Sequence, residues 1–276
     1  YFWTHYINAI MLAREGRTEE SHAAALKVLT VSPDHLPAVL LAASAELQKG
    51  DLQMADSRLG KILQKHPDSI PALQLQAATQ LRLGKVKEAA ESIQRGLGIR
   101  PDDQRLLSLR ADVELHAGDL KKAAATLDSV VVTHPKDAAN LLRLSEIRWR
   151  LGQKDVATTL LDKAIEAGRD EPVIRDQIIG QALRRGDVAR VRDLANHALQ
   201  TRPKDPQSHL VQAAALAAQK DTAGAWRATL AALDLKPGFD AALRALAGMA
   251  REPQQREELL ARYALAVESR PQSPYT

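Results

Sequence analysis

Histidine is the first residue type in this sequence that could carry chemistry. Eight histidines could bind a metal ion or transfer a proton, but none stands in a His-Glu-x-x-His pattern or at another tight ligand spacing. The chain contains no cysteine, which excludes a thiolate nucleophile and a cysteine-ligated metal. His66 and His134 directly precede prolines, so we interpret them as last-turn helix residues, where a positive charge favours the helix dipole. The histidines therefore predict no metal site.

Glycine patterns that indicate nucleotide binding or ester hydrolysis are missing or misplaced. Gly96 and Gly98 suggest part of a dinucleotide fingerprint, but they fall late in a predicted helix and not between a strand and a helix. No glycine-rich loop precedes a Lys-Ser or Lys-Thr pair, and the sequence has no Gly-x-Ser-x-Gly motif. We therefore predict that the chain is not an enzyme and needs no cofactor.

Basic residues recur in this sequence at multiples of 34 positions. Arginine binds carboxylates and phosphates through its planar fork, so such a row could bind an acidic peptide or an anionic polymer. The alternative is that each cation interacts with a helix C-terminus. We favour this alternative because Gln48 and Ala218 interrupt the spacing. The members of this basic row are Arg14, Arg82, His116, Arg150 and Arg184.

The basic row belongs to a 34-residue repeat that covers essentially the whole chain. A proline marks each period, with Arg169 as the exception, and the prolines are Pro33, Pro67, Pro101, Pro135, Pro203, Pro237 and Pro271. A glycine stands 17 positions earlier in six units, at Gly16, Gly50, Gly84, Gly118, Gly152 and Gly186. Lys220 and Gln254 replace it in the last two units. We expect one domain over residues 1–276, part of a longer protein, with units at roughly 2–35, 36–69, 70–103, 104–137, 138–171, 172–205, 206–239 and 240–273.

Each unit is predicted to contain two helices. The glycine ends the first helix in a left-handed conformation, and the proline ends the second because it cannot continue the hydrogen-bond ladder. Aspartates after the prolines are predicted N-caps, namely Asp34, Asp68, Asp102, Asp137, Asp170 and Asp205. The position seven before the glycine holds a small residue in seven of eight units, and Ile179 is the exception. The small residues are Ala9, Ala43, Ala77, Ala111, Ser145, Ala213 and Ala247. The position five after the glycine holds Ser21, Ala55, Ala89, Ala123, Ala157, Val191, Ala225 and Leu259.

This pattern of glycine, small residues, alanine and terminal proline resembles the tetratricopeptide repeat (TPR) family. The resemblance implies an all-α fold, an α-solenoid of about eight helix-turn-helix repeats that form a right-handed superhelix with a concave groove. The low aromatic content of 3% agrees with helices built on alanine and leucine. The sequence departs from the family at the position where tryptophan is frequent, which holds His5, Val39, Leu73, Leu107, Leu141, Arg175, His209 and Leu243.

The resemblance also implies which residues line the groove, because the first helix of each repeat faces it. The first units supply uncharged residues and the middle units charged ones. The candidate binding residues are Tyr6, Leu40, Gln74, Asp112, His116, Arg143, Glu146, Arg150, Asp176 and Arg184. The Lys and Asn positions of the family's carboxylate clamp hold other residue types here, namely Leu40 and Ser44, Gln74 and Ala78, Ser108 and Asp112. Binding of chaperone C-termini through such a clamp is therefore excluded.

Three short segments favour a narrower relationship. The sequences PDHLPA at 33–38, LLAA at 40–43 and LRLG at 81–84 resemble the TPR lipoproteins of bacterial PEP-CTERM and exosortase systems. That resemblance implies a cell-envelope scaffold for exopolysaccharide assembly or export, or for protein sorting, that binds a protein or peptide segment. It also implies a parent protein in the periplasm, or at the outer membrane facing the periplasm, with a lipid anchor.

Two other functions stay open at this stage. The basic row could hold an anionic polysaccharide directly, or the chain could be a regulatory sensor domain of a cytoplasmic protein. Nucleic-acid binding is excluded because the net charge is only +4 and no aromatic residues interleave the basic ones. The apolar runs at 38–45 and 210–218 are too short to cross a membrane.

Overall fold

The computed structural model describes residues 2–269, and this part of the chain is all α-helical. Within it we number sixteen helices and find no strand. They are α1 (Phe2–Arg14), α2 (Thr18–Val31), α3 (Leu36–Lys49), α4 (Leu52–Lys65), α5 (Ile70–Arg82), α6 (Val86–Ile99), α7 (Gln104–His116), α8 (Leu120–Thr133), α9 (Ala138–Arg150), α10 (Lys154–Gly168), α11 (Pro172–Arg184), α12 (Val188–Thr201), α13 (Pro206–Ala218), α14 (Thr222–Leu235), α15 (Asp240–Met249) and α16 (Pro253–Glu268). The predicted all-α repeat fold is confirmed.

The helices fall into two compact units. The N-terminal unit comprises residues 2–135 and 143–157, and the C-terminal unit comprises residues 136–142 and 158–269. In the N-terminal unit each helix from α1 to α7 packs against the next one in the chain, and α7 packs against α8. The same nearest-neighbour packing runs from α11 to α16 in the C-terminal unit. A single continuous solenoid over residues 1–276 stays a prediction.

Small residues let the two helices of each pair approach closely. The positions seven before and five after the glycine are buried in the first seven pairs. Two serines at these positions show how near the backbones are. The Ser21 hydroxyl donates to the Ala9 carbonyl at 2.8 Å, and the Ser145 hydroxyl donates to the Ala157 carbonyl at 2.6 Å. A side chain on one helix therefore reaches the backbone of its partner directly.

The turn within each of the first seven pairs contains a left-handed residue, and in six of them it is the predicted glycine. All six glycines of the repeat have positive φ angles, between 72° and 90°. Lys220 occupies the same position between α13 and α14 with a φ of 65°, and it is the one non-glycine residue with positive φ in the described range. A side chain with a Cβ is strained in this conformation.

We expect the Lys220→Gly substitution to stabilise the protein by roughly 0.5–1 kcal/mol. Relief of the left-handed strain should raise the free energy of unfolding by about 1–2 kcal/mol. The greater freedom of glycine in the unfolded chain should lower it by about 0.4–1 kcal/mol. Denaturant unfolding measures the change. Gly118→Ala is the matched control, since its new Cβ meets no atom within 4 Å and its φ is 78°. It should destabilise the protein by about 1 kcal/mol, and a Lys220→Gly variant no more stable than the wild type would contradict the prediction.

The turns between pairs follow the prolines. Most second helices have 14 residues and end two positions before a proline. Helix α10 lacks that proline, since Arg169 takes its place, and it runs to 15 residues. Pro271 lies outside the described residues.

Four of the predicted N-caps are wrong by one residue. Asp34, Asp68, Asp102 and Asp170 lie in the turn, and the residue after each is the N-cap. Those N-caps are His35, Ser69, Asp103 and Glu171. The reason is that the proline and aspartate, or Arg169 and Asp170 in the fifth unit, together form the turn, so extended backbone angles arise only at the following residue. Asp205 caps α13 as predicted, and Asp137 accepts a hydrogen bond from the Asn140 amide at the start of α9.

The eighth pair departs from the others. Helix α15 has only 10 residues, and α16 begins at Pro253 after the N-cap Glu252. Ala247, predicted to pack between the paired helices, is exposed, and Leu246 is buried in its place. The shortened first helix explains this shift, because it no longer matches the length of the other pairs.

Candidate interaction surface

Successive first helices form a surface in the N-terminal unit. Helix α1 contacts α3, α3 contacts α5, and α5 contacts α7, in addition to the packing of each within its pair. Residues at two equivalent positions of these helices are half-buried and face outward. We call this surface the first-helix row, and it consists of Tyr6, Ile10, Leu40, Ser44, Gln74, Ala78, Ser108 and Asp112.

The row begins at an aromatic cluster. The Tyr6 ring lies edge-on to the His35 ring with centroids 4.9 Å apart, and Phe2 meets His35 in the same way at 5.0 Å. Trp3 lies 6.2 Å from Tyr6 and is largely exposed. Leu40 follows and packs against the edge of the apolar core between α3, α4 and α5. This end of the row offers apolar surface that a partner could cover.

Gln74 links two first helices. Its side-chain amide donates to Asp103 Oδ1 at 2.8 Å, and the same oxygen accepts from the Leu106 backbone amide at 3.0 Å. Asp103 is the N-cap of α7. Gln74 therefore fixes the start of α7 against α5. Its side-chain amide is used in this contact between the two helices.

A charged group ends the row. Arg143 Nη1 lies 3.2 Å from Asp112 Oδ2, and the His116 ring Nδ1–H donates to the Asp112 backbone carbonyl at 2.8 Å. Burial raises the pKa of Asp112 above its usual value of 3.8, and the charges of Arg143 and His116 oppose this rise. Three of the predicted binding residues are thus brought together. Asp112 is half-buried, and Arg143 and His116 are exposed, so water reaches the group.

The raised pKa of Asp112 predicts how stability varies with pH. Because the folded protein holds this proton more tightly than the unfolded chain, ionisation of Asp112 removes stability as pH rises above 3.8. We expect the wild type to lose unfolding free energy relative to Asp112→Asn between pH 3 and pH 7, measured by denaturant unfolding.

Asp119→Asn is the control of opposite sign. The Lys122 backbone amide donates to Asp119 Oδ1 at 3.0 Å and lowers the pKa of Asp119. The wild type should therefore gain stability relative to Asp119→Asn over the same pH range. A pH-independent difference for Asp112→Asn would refute the role given to burial.

The remaining predicted residues lie on α9 and α11. Glu146 is half-buried on α9, and Arg150 at the end of α9 is exposed with no ion pair among the described residues. Asp176 and Arg184 belong to the C-terminal unit and are exposed. Asp176 accepts a hydrogen bond from the Gln207 side chain at 2.8 Å. These four residues remain predicted binding residues.

The basic row is partly engaged with the protein itself. Arg82 donates to the backbone carbonyl of Leu47, at the end of the neighbouring first helix. His116 donates to the Asp112 carbonyl, as described above. Both contacts match the interpretation of these cations as partners of helix C-terminal carbonyls.

Sequence reasoning missed a buried charged cluster. Glu46 is fully buried, and it accepts hydrogen bonds from Arg58 Nε at 3.0 Å and Arg58 Nη2 at 2.7 Å. His22 Nε2 lies 3.1 Å from the same carboxylate. Equivalent positions hold Gln80 with Ser92, joined at 2.9 Å, and Glu114 with Thr126, joined at 2.8 Å. A polar residue four before the glycine, matched by one eight after it, is the signal that would have found these pairs.

Two other kinds of functional feature are absent from residues 2–269. No three His, Asp or Glu side chains in this range group closely enough to hold a metal ion. None of the helices described there has the length and apolar character needed to span a membrane.

Comparison with known proteins identifies the repeat. Tetratricopeptide repeat models match residues 46–113 and 109–172. No curated protein matches the sequence. A solved TPR protein from Thermus thermophilus, TTC0263, is 17% identical with a TM-score of 0.60, covering 66% of this chain and 100% of its own. A TPR protein from Parabacteroides merdae ATCC 43184 is 14% identical with a TM-score of 0.59, covering 95% of this chain and 98% of its own.

A third structure, MamA from Desulfovibrio magneticus RS-1, is 18% identical with a TM-score of 0.53 and covers 62% of this chain and 96% of its own. The TM-scores show a shared fold. The chain therefore matches tetratricopeptide repeat models over residues 46–172 and has the all-α repeat fold of these solved TPR proteins.

Proposed function

We propose that this protein is a non-catalytic scaffold that binds a peptide segment or a partner protein along the first-helix row. The observation that carries the proposal is the row itself, which is uncharged and half-buried over α1, α3 and α5 and ends at the Asp112–Arg143 pair. TPR proteins generally mediate protein–protein interactions, and their stacked repeats offer extended surfaces for this purpose. No reaction is implied by the fold.

The row favours a partner with apolar side chains at one end and a charged or polar group at the other. Half-exposed Tyr6, Ile10 and Leu40 gain about 25 cal/mol for each Å² of apolar surface that a partner covers. The Asp112–Arg143 pair presents both a carboxylate and a guanidinium. It therefore selects partners by the arrangement of their positive and negative groups rather than by their net charge.

A blocking substitution tests this surface. We expect Ser44→Arg, in the middle of the row, to abolish capture of partner proteins from extracts of the source cells. Ser57→Arg is the matched control, because it makes the same change on the exposed face of α4. Leu40→Ala removes apolar surface without adding bulk and should weaken capture several-fold. Unchanged capture by folded Ser44→Arg and Leu40→Ala, checked by circular dichroism, would refute the proposed surface.

We further propose that the parent protein acts in the bacterial cell envelope, in exopolysaccharide assembly or export or in PEP-CTERM protein sorting. The support is the resemblance of the segments at 33–38, 40–43 and 81–84 to lipoproteins of those systems. The proposal includes a periplasmic or outer-membrane location and a lipid anchor on the parent.

Cell fractionation tests the envelope proposal directly. We expect the native full-length protein in the membrane fraction, with an intact mass that includes a lipid. A soluble cytoplasmic protein of unmodified mass would overturn it and would favour the regulatory sensor domain. An unmodified protein found in the periplasm would overturn the proposed lipid anchor. It would support the proposed periplasmic location.

Direct binding of an anionic polysaccharide is the second candidate function. Exposed Arg150, which has no ion pair among the described residues, is the observation in its favour. The engagement of Arg82 and the pairing of Arg143 with Asp112 reduce the charge available. Binding to alginate that weakens with salt, and that is lost when Arg143, Arg150 and Arg184 become glutamine, would favour this function over the peptide scaffold.

A further inference from the structure

A groove between α10 and α12 has an arginine where the repeat otherwise has a proline. The groove has a volume of about 400 Å³, and all the residues that line it belong to the C-terminal unit. Arg169, which replaces the proline, is one of them and is exposed. Its side chain forms no hydrogen bond or ion pair with the described part of the chain. This guanidinium is therefore available to a ligand.

The carboxylates that line this groove already have arginine partners. Asp162 and Asp187 both pair with Arg190, at 2.7 Å and 3.2 Å. Asp193 lies 3.4 Å from Arg192. These acidic groups are thus neutralised locally and do not engage Arg169.

The neighbouring Asp170 is engaged as well. Its Oδ1 lies 2.9 Å from Nε2 of His197, which also lines the groove. Arg202 Nη2 donates to the Asp170 backbone carbonyl at 2.7 Å. A histidine and a second arginine therefore hold the residue next to Arg169, and the Arg169 guanidinium keeps no carboxylate of its own.

Repeat equivalence places a second unpaired guanidinium beneath this groove. The N-terminal unit has an equivalent groove, lined by Pro33 and five residues of α4 at the positions that Arg169 and five residues of α12 occupy here. Val39, which is 3% exposed, also lines that N-terminal groove. Arg175 is the repeat equivalent of Val39. It is 1% exposed, and none of its three guanidinium nitrogens forms a hydrogen bond with the described residues.

The burial of Arg175 favours pairing with an anion. Its one ion pair among the described residues joins Nε to Asp176 Oδ1 at 3.9 Å, which is too long for a hydrogen bond. A buried guanidinium without hydrogen bonds destabilises the folded protein. Rotation of this side chain into the groove, where it could pair with an anion, removes that cost.

We propose that the groove between α10 and α12 binds an oxyanion, a phosphate or carboxylate group, between Arg169 and Arg175. A guanidinium binds either group through two parallel hydrogen bonds. The volume of the groove is within the range of about 300–1,000 Å³ that is usual for small-ligand sites. Binding draws Arg175 out of its buried position, so the folded protein gains from the ligand both a new ion pair and relief of the buried charge.

Variants that remove one arginine each provide the test. Arg169→Gln removes the exposed guanidinium, and Arg175→Leu removes the buried one. Leucine is the residue at the equivalent position of α5, α7 and α9, so Arg175→Leu should fold, which circular dichroism verifies. Arg227→Leu is the matched control, because Arg227 is an exposed arginine of α14 that does not line the groove.

Titration calorimetry of the whole 276-residue chain gives the readout, with inorganic phosphate and succinate as separate probes at constant ionic strength. We expect one saturable site per chain, for at least one probe, in the wild type and in Arg227→Leu. Arg169→Gln should weaken the affinity about tenfold or more, since it removes a charge-assisted contact. Arg175→Leu should abolish binding. Binding of phosphate alone identifies a phosphate site, and binding of succinate alone identifies a carboxylate site.

Unfolding in urea provides a second measurement. A ligand that binds only the folded state raises its stability. The probe that binds should therefore raise the urea midpoint of the wild type and of Arg227→Leu, and leave that of Arg175→Leu unchanged. In chloride alone, Arg175→Leu should have a higher midpoint than the wild type, because it no longer buries an unpaired charge.

Three results would overturn the proposal. A wild type that binds neither phosphate nor succinate in a saturable way has no oxyanion site. Undiminished binding by Arg175→Leu would show that the buried arginine takes no part. An equal loss of binding in Arg227→Leu would show a response to overall positive charge instead of to this groove.

Discussion

The close approach of the two helices in each pair is the constraint on which the rest of this structure depends. With only small side chains between them, the Ser21 and Ser145 hydroxyls reach the carbonyls of Ala9 and Ala157 on the facing helices. Such tight packing does not allow one helix to slide or rotate against the other. It therefore fixes which side chains enter the core, which meet the neighbouring pair and which face outward. The first-helix row is the outward set.

This constraint explains what could be predicted from the sequence. Spacing alone located the helix pairs and the left-handed glycines, because both depend on residue type at one repeat position. The resemblance to TPR proteins, rather than spacing alone, placed Asp112, His116 and Arg143 on one surface. The N-caps were misplaced by one residue, since the position of a cap depends on backbone angles within a turn that spacing does not specify. The cluster around Glu46 was missed because charged residues are seldom fully buried in proteins.

Burial in this protein follows repeat position more closely than polarity. Glu46 is buried and satisfied by Arg58 and His22. Arg175 is only 1% exposed, and its guanidinium forms no hydrogen bond in the described part of the chain; its sole ion pair there is with Asp176 at 3.9 Å. Leaving a buried charge so weakly paired costs several kcal/mol. Arg175 stands where the equivalent residues Val39 and Leu73 are core members, so the packing of the repeat buries it despite that cost.

The half-buried Asp112 also affects which partner the first-helix row can select. A partner that covers the row takes more water from Asp112, whose pKa burial already raises. The carboxylate then either accepts a hydrogen bond from the partner or is further destabilised in its ionised form. A purely apolar partner is disfavoured at this end, and a partner with a donor near Asp112 is accepted. For the proposed partner, specificity would thus arise from the cost of desolvating the half-buried Asp112 carboxylate, while the apolar end near Tyr6 would supply apolar surface to cover.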